Sequence, residues 1–294
     1  MKAAMSKIAI LREAVLELLR EHERNGTLPT NARFLYYELV ARGVVSKERQ
    51  GARRPDQDAG EALTQLRESG QIPWDWIVDE TRTLEDYSGF ASIKEGVLAG
   101  LPNINLDPWR GKMPLVLTES RSLGGVLRPI ANRYSVKIAS TNGQVGGFLH
   151  TQIAPLLQDA DSPQVLYLGD YDLAGNQIES NTRRVLEQEV GPFFDRWKRI
   201  ALTAEQVGQY SLPTILKHDR RYKDGRPHEA VETEALNQRL IIELLEGELI
   251  ARLPESLERV LEREKRQQRA LKKFILRSNA KQPWRSKERQ NQDG

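Results

Sequence analysis

Asp170 and Asp172 stand two apart in GDYDLAG, directly after the apolar run QVLYL. On an extended chain, residues i and i+2 point to the same side, so both carboxylates can reach one hard cation. Glu119 ends another apolar run, PLVLTE. If those two runs are neighbouring strands, Glu119 completes a trio. Three carboxylates held together repel one another unless a divalent cation joins them, and an all-oxygen set favours magnesium or manganese over zinc. An isolated D-x-D is usually a loop that caps the next helix. Here a leading apolar run, Gly175 just after, and a second acid at a strand end favour the cation. A further pattern is Arg33-Phe34-Leu35-Tyr36-Tyr37. On a helix the two rings face about 100° apart, and taken alone they read as one packed and one half-exposed aromatic.

The elements that must carry these residues follow from the apolar rhythm. PLVLTE, VKIAST, QVLYLGDYD and KRIALT alternate with helical stretches, the pattern of βαβ units around a buried parallel sheet. Acids at strand C-termini then lie where such sheets carry their sites. Before them, the spacing predicts three helices. The first runs from about Ser6 to Arg24 and closes at Gly26; the second starts after Thr30 or Asn31 and closes at Gly43. The third covers about Asp58 to Ser69 and ends at Gly70. Alternation in IPWDWIVDETR predicts a strand in a hairpin. Three short helices followed by a strand form the pattern of a winged helix-turn-helix. The expected class is mixed α/β. Residues 1–84 form a winged-helix (CAP-like) domain and 85–112 a linker rich in Gly, Pro and Asn. Residues 113–253 hold a Rossmann-like parallel sheet with an extension, and 254–294 a basic helix and tail.

Composition narrows the chemistry. The 294 residues include no cysteine, which excludes disulfides, thiol nucleophiles and thiolate metal sites and fits a cytoplasmic protein. The four histidines lack metal-ligand spacing. No run is long and apolar enough for a membrane span, and no signal peptide is visible. Lys plus Arg number 44 against 41 Asp plus Glu, a net of +3. That average hides a segment, Arg259 to Arg289, with twelve basic and three acidic residues. It reads either as a solvated helix or as a strip that neutralises phosphates, with Lys272 and Lys273 among the contacts.

An acid after the first strand and D-x-D-x-x-G after the third resemble the Toprim domain of topoisomerases, primases and some nucleases. Glu119, Asp170, Asp172 and Gly175 match, over about residues 113 to 205. The resemblance implies that these acids hold magnesium, or manganese, beside a scissile phosphodiester. A winged-helix-like module with R-x-x-Y-Y before such a domain is similar to the A subunit of topoisomerase VI and the meiotic double-strand-break transesterase. It is closest in size to stand-alone versions from bacteria and mobile elements. The resemblance implies Tyr37 as nucleophile, Arg33 as its helper, a 5′-phosphotyrosyl DNA intermediate, and a nucleoid-associated homodimer acting on double-stranded DNA. In that family the tyrosine and the metal site come from different protomers. A phenol with pKa near ~10 is a poor nucleophile at neutral pH, so a guanidinium and a cation-bound phosphate would both assist. The chain departs from the family at Phe34, where an Asp is usual, and in DYDLAG, which lacks the family's proline. It contains no G-x-x-x-x-G-K-[ST] and no GHKL-like ATPase region, so ATP-driven strand passage would need a separate subunit. The alternative is a Toprim hydrolase, a nuclease of a defence system, in which the tyrosine is structural.

Several further residues are candidate DNA contacts. Arg53 and Arg54 precede the third helix and could reach phosphates, although a plain loop is the favoured reading of that stretch; Asn142 opens a Gly-containing turn after the second strand. Arg220 and Arg221 lie in the basic stretch from Lys217 to His228. Glu232 and Glu234 in VETEAL are weaker candidates for a further metal ligand or a structural acid, as is Tyr36 for the nucleophile. On a helix, Glu at i and i+2 would not share a face, so at most one would point to the site.

Overall fold

Three helices open the chain in a computed structural model, which describes residues 7–47, 55–78, 88–141, 146–160, 162–193, 196–218, 222 and 224–278. Helix α1 is Lys7–Asn25, α2 is Ala32–Ala41 and α3 is Pro55–Glu68. The apolar face of α1 (Leu11, Val15, Leu18, Leu19) packs with Leu35 and Leu39 of α2 and Ala62, Leu63 and Leu66 of α3. Asn31 caps α2 by accepting from the backbone N–H groups of Arg33 and Phe34, each at 2.9 Å. Gly26, Gly43 and Gly70 end the three helices with positive φ, the backbone that glycine adopts without a Cβ penalty.

Over residues 72–78, the described part of the strand expected after α3, no strand forms; residues 79–82 of that stretch lie outside the described residues. Trp74–Trp76 is a 3-10 turn, and Ile77 makes a single parallel bridge to Thr30. Ile72 and Ile77 are the buried residues of this stretch, five apart, while Trp74 is 60% exposed. The two-residue alternation of the tryptophans therefore does not mark the face that enters the core.

Helix α4 (Ile93–Gly100), capped by Ser92, lies in the segment expected as a linker. Strand β1 (Leu115–Thr118) then leads to α5 (Arg121–Arg133) and β2 (Lys137–Ser140). A short α6 (Gly146–Phe148) passes through a π turn, Leu149–Ile153, into α7 (Ala154–Gln158). Next come β3 (Val165–Leu168), α8 (Leu173–Val190), β4 (Trp197–Ala201) and α9 (Ala204–Gln209). The four strands make one parallel sheet in the order β2-β1-β3-β4. β1 and β3 are fully buried along their length, which is why they read as unbroken apolar runs. β5 (Ile215–Lys217) and β6 (His228–Ala230) form a separate antiparallel pair. Helix α10 (Gln238–Ile250) follows, and α11 (Leu257–Arg277) closes the described chain.

Residues Met1–Thr83 and Trp109–Pro254 belong to one compact unit, which holds the three opening helices and the sheet together. Gln238 fastens them: its side-chain N–H groups donate to the carbonyls of Thr27 (2.5 Å) and Pro29 (3.1 Å), and its carbonyl oxygen accepts from the Thr30 hydroxyl at 2.5 Å. The second unit comprises Leu84–Pro108 and Glu255–Gly294. Within it, Glu264 of α11 accepts from the Leu106 N–H at 2.7 Å, and Gln268 donates to the Ile104 carbonyl at 3.0 Å. No helix among the described residues is long and apolar enough to cross a membrane.

Candidate active site

β1 and β3 are hydrogen-bonded neighbours with Thr118 opposite Leu168, so Glu119 emerges beside the loop that carries Asp170. The Glu119 carboxylate accepts from the Asp170 backbone N–H at 3.0 Å. Asp172 caps α8 by accepting from the Gly175 N–H at 2.7 Å, and its other oxygen meets the Lys217 ammonium at 3.0 Å. The helix-capping and site roles therefore fall on one residue. Gly175 has no substitute here: a Cβ would lie 2.3 Å from the Asp170 carbonyl oxygen and 3.1 Å from the Glu119 carboxylate. Arg199 of β4 holds the loop from beneath, donating to the carbonyls of Gly169 (3.1 Å) and Asp170 (2.6 Å).

The loop is closed from outside by the VETEA segment. Tyr171 and Val231 exchange backbone hydrogen bonds at 2.8 and 3.0 Å. This bridge places Thr233 on Asp170, whose carboxylate accepts from the Thr233 N–H (2.8 Å) and hydroxyl (3.0 Å). Glu232 is extended (φ −81°, ψ 146°) and precedes a 3-10 turn, Thr233–Ala235. Because this stretch is not α-helical, both glutamates reach Arg33, which corrects the expectation that at most one would. The Arg33 guanidinium lies 2.7 Å from Glu232 and 3.7 Å from Glu234.

Tyr37 completes the cluster. Its hydroxyl donates a short hydrogen bond to Glu232, onto the carboxylate oxygen that also faces Arg33. Lys47 sits 4.4 Å from the centre of its ring and donates to the Pro213 carbonyl at 2.9 Å. Tyr36 meets Tyr37 edge to face at 5.4 Å but packs its ring on the core of α1, α2 and α3. Of the two tyrosines, Tyr37 faces the acids. The resemblance implied a tyrosine and an acid site from different protomers; in this chain Tyr37 and Arg33 meet Glu232 of the same chain.

The charges are strongly coupled. Burial pushes the Glu119 carboxyl up to about 7, and the Asp170 charge adds to it. Burial also raises Asp170, opposed by the Thr233 N–H. Glu234, 1% exposed, is raised by burial against the pull of Arg33; the Ser122 hydroxyl donates to it at 3.0 Å, and its other oxygen has no hydrogen-bond partner among the described residues. Burial acts to raise Glu232 as well, but the charge and hydrogen bond of Arg33 bring it below the usual carboxylate range. The Tyr37 phenol is raised by burial and by its bond to the Glu232 carboxylate, so it is a neutral donor.

A stability measurement checks the strain at Glu119. Its proton is held more tightly in the folded chain than in the unfolded one. Its contribution is therefore intact below the unfolded pKa of ~4.5 and is lost as pH rises to about 7. Allowing for the part open to solvent, the loss is roughly 1–3 kcal/mol. With a chelator present, the stability advantage of Glu119→Gln over wild type should widen by that amount between pH 5 and pH 8 in urea unfolding. An advantage that stays constant defeats the account of a desolvated carboxylate.

The donor set suits a hard divalent cation: all oxygen, partly desolvated and mutually repelling. Glu119 and Asp170 follow the C-terminal ends of the two central strands, and among the described residues no three acidic side chains already enclose a cation position. Lys217 stands beside Asp172 and would share or yield that carboxylate. Sequence reasoning placed Lys217 in a DNA-contacting stretch, whereas it pairs with Asp172 and lies 3.9 Å from Glu232. It missed Thr233, Arg199 and Lys47, none of which belongs to a recognisable motif. Arg53, Arg54, Asn142, Arg220 and Arg221 lie outside the described residues. Lys272 and Lys273 are exposed on α11, in the second unit. In comparisons with known proteins, no family model and no curated protein matches the chain.

Proposed function

We propose that this chain is a divalent-cation-dependent DNA-cleaving enzyme that works by tyrosine transesterification, with a winged-helix-like module set against a Toprim-like sheet. One observation carries the reading. The Tyr37 hydroxyl and the Arg33 guanidinium share an oxygen of Glu232, and the next residue, Thr233, holds Asp170 of the acid trio. A nucleophile, an anion-binding cation and a candidate metal site thus lie together in one chain.

The roles follow from the chemistry. Arg33, with 41% of its side chain exposed, offers a bidentate fork to a DNA phosphate at the mouth of the site. Tyr37 lies behind it as the attacking oxygen. Glu119, Asp170 and Asp172 would hold magnesium or manganese, which when bound supplies positive charge at the phosphate. The product is a 5′-phosphotyrosyl link that stores the bond energy and permits resealing. Double-stranded DNA is the partner, with a second copy of the chain for the opposite strand and a separate ATPase where strand passage occurs. The basic face of α11, with Lys272 and Lys273, supplies further phosphate contacts.

The burial of Tyr37, 5% exposed, favours a second reading, in which the ring is structural and the acid trio hydrolyses DNA directly. Supercoiled plasmid incubated with the protein and magnesium, then denatured with detergent, separates the two. Transesterification leaves protein on 5′ ends; hydrolysis leaves free 5′ phosphates. Asp172→Ala should abolish cutting under either reading, and unchanged cutting by that variant removes the metal from the proposal.

A further inference from the structure

A buried phenol cannot attack until its proton has somewhere to go. Efficient transfer needs an acceptor within hydrogen-bond reach of that proton. Among the described residues, the one carboxylate bonded to the Tyr37 hydroxyl is Glu232. The other acids are turned elsewhere. Asp170 accepts from Thr233, Asp172 from Gly175 and Lys217, Glu119 from the Asp170 N–H, and Glu234 from Ser122. Glu232 is also the acid on which the cations converge, with Arg33 at 2.7 Å and Lys217 at 3.9 Å.

We propose that Glu232 is the general base that takes the Tyr37 proton during strand cleavage, and that an incoming DNA phosphate switches it on by drawing Arg33 away. This rests on the transesterase reading above. Arg33 and Tyr37 use the same Glu232 oxygen, so with no phosphate bound the guanidinium stabilises the carboxylate anion and weakens it as a base. A phosphate at the Arg33 fork competes for those N–H groups. Glu232 then keeps its bond to the phenol while losing its strongest counter-charge, and its basicity rises as substrate arrives. The step balances. The Tyr37 O–H proton passes to Glu232, the phenolic oxygen bonds to phosphorus, the bond from phosphorus to the 3′ oxygen breaks, and that oxygen takes a proton from water. On resealing, Glu232 returns its proton to the tyrosine.

The test is the single-turnover rate of covalent protein–DNA formation at saturating magnesium. It compares wild type, Glu232→Gln and Glu232→Asp on ordinary DNA and on DNA whose scissile 3′ oxygen is replaced by sulfur. Glu232→Gln should slow the reaction about 100-fold or more on both substrates, the usual contribution of a general base. Its magnesium half-saturation should match that of wild type. Glu232→Asp keeps a carboxylate and should fall between the two, which keeps the test decisive if the Gln variant fails to fold. Recovery on the sulfur substrate would make Glu232 the acid for the leaving group and overturn the proposal. Recovery at higher magnesium would make it a cation ligand, with the same consequence. An unchanged rate in the Gln variant refutes the base assignment and leaves the transesterase reading standing. Wild type that never forms covalent product takes down both.

Discussion

Tyr37→Phe should yield no covalent protein–DNA product while remaining folded and able to bind DNA. The phenolic oxygen is the atom that would bond to phosphorus, and no neighbouring hydroxyl replaces it: Tyr36 packs on the helical core. Loss of a nucleophile that forms a covalent intermediate removes that product outright, so at least a roughly 10⁴-fold fall in rate is expected. The fold has less at stake. Glu232 loses one donor but keeps Arg33 at 2.7 Å, so the carboxylate is not stranded. The expected cost is about 1–2 kcal/mol, that of one buried hydrogen bond. Tyr36→Phe is the control and should cut within about threefold of wild type, since it removes one hydroxyl from a half-buried ring that packs on the helical core and has no hydrogen bond to Glu232 among the described residues. Gel analysis of detergent-treated reactions, beside thermal melts, reads both effects. Cutting by Tyr37→Phe at the wild-type level would return the tyrosine to a structural role and leave the hydrolase reading in its place.

What was legible in the sequence is local, and what was hidden depends on long-range closure. Asp170 and Asp172 were visible because a two-residue spacing at a strand end fixes their side without knowledge of the rest. Glu119 needed one further condition, that the first and third runs be neighbours, which the β1–β3 pairing satisfies. The three opening helices were legible from apolar spacing and terminal glycines. Trp74 to Val78 misled because aromatic alternation imitates a strand, while Pro73 and the bridge from Ile77 to Thr30 set the local path. Glu232 was only a weak candidate. Its place depends on a backbone bridge between Tyr171 and Val231, 60 residues apart, which no motif announces. Arg33 and Tyr37, one helical turn apart, were nameable as a pair, but the acid between them was not.

Phe34 tests how far the resemblance constrains this chain. The related motif carries an acid at that position, the third residue of α2, where the helix dipole favours negative charge by roughly 0.3–1 kcal/mol. Here the dipole is outweighed. Phe34 is 0% exposed, and a phenylalanine emptied from such a site costs about 3–5 kcal/mol before any charge is buried. An aspartate would add the penalty of a desolvated carboxylate. Asn31 already caps the helix by accepting from the Phe34 N–H at 2.9 Å, so an acid at position 34 would add only the reciprocal half of a capping box. Phe34→Asp should therefore exceed the loss of Phe34→Ala and exhaust most of the roughly 5–15 kcal/mol that a folded chain has in reserve. The expected result is a protein that is unfolded, or that melts well over 10 °C below wild type, by circular dichroism. Phe34→Leu keeps the site apolar and should cost only about 1–2 kcal/mol. A folded Phe34→Asp with a near-native melting point would mean the pocket admits a charge. The phenylalanine would then be a functional departure from the motif, with its effect to be sought at Arg33, one residue away on the helix that presents Tyr37.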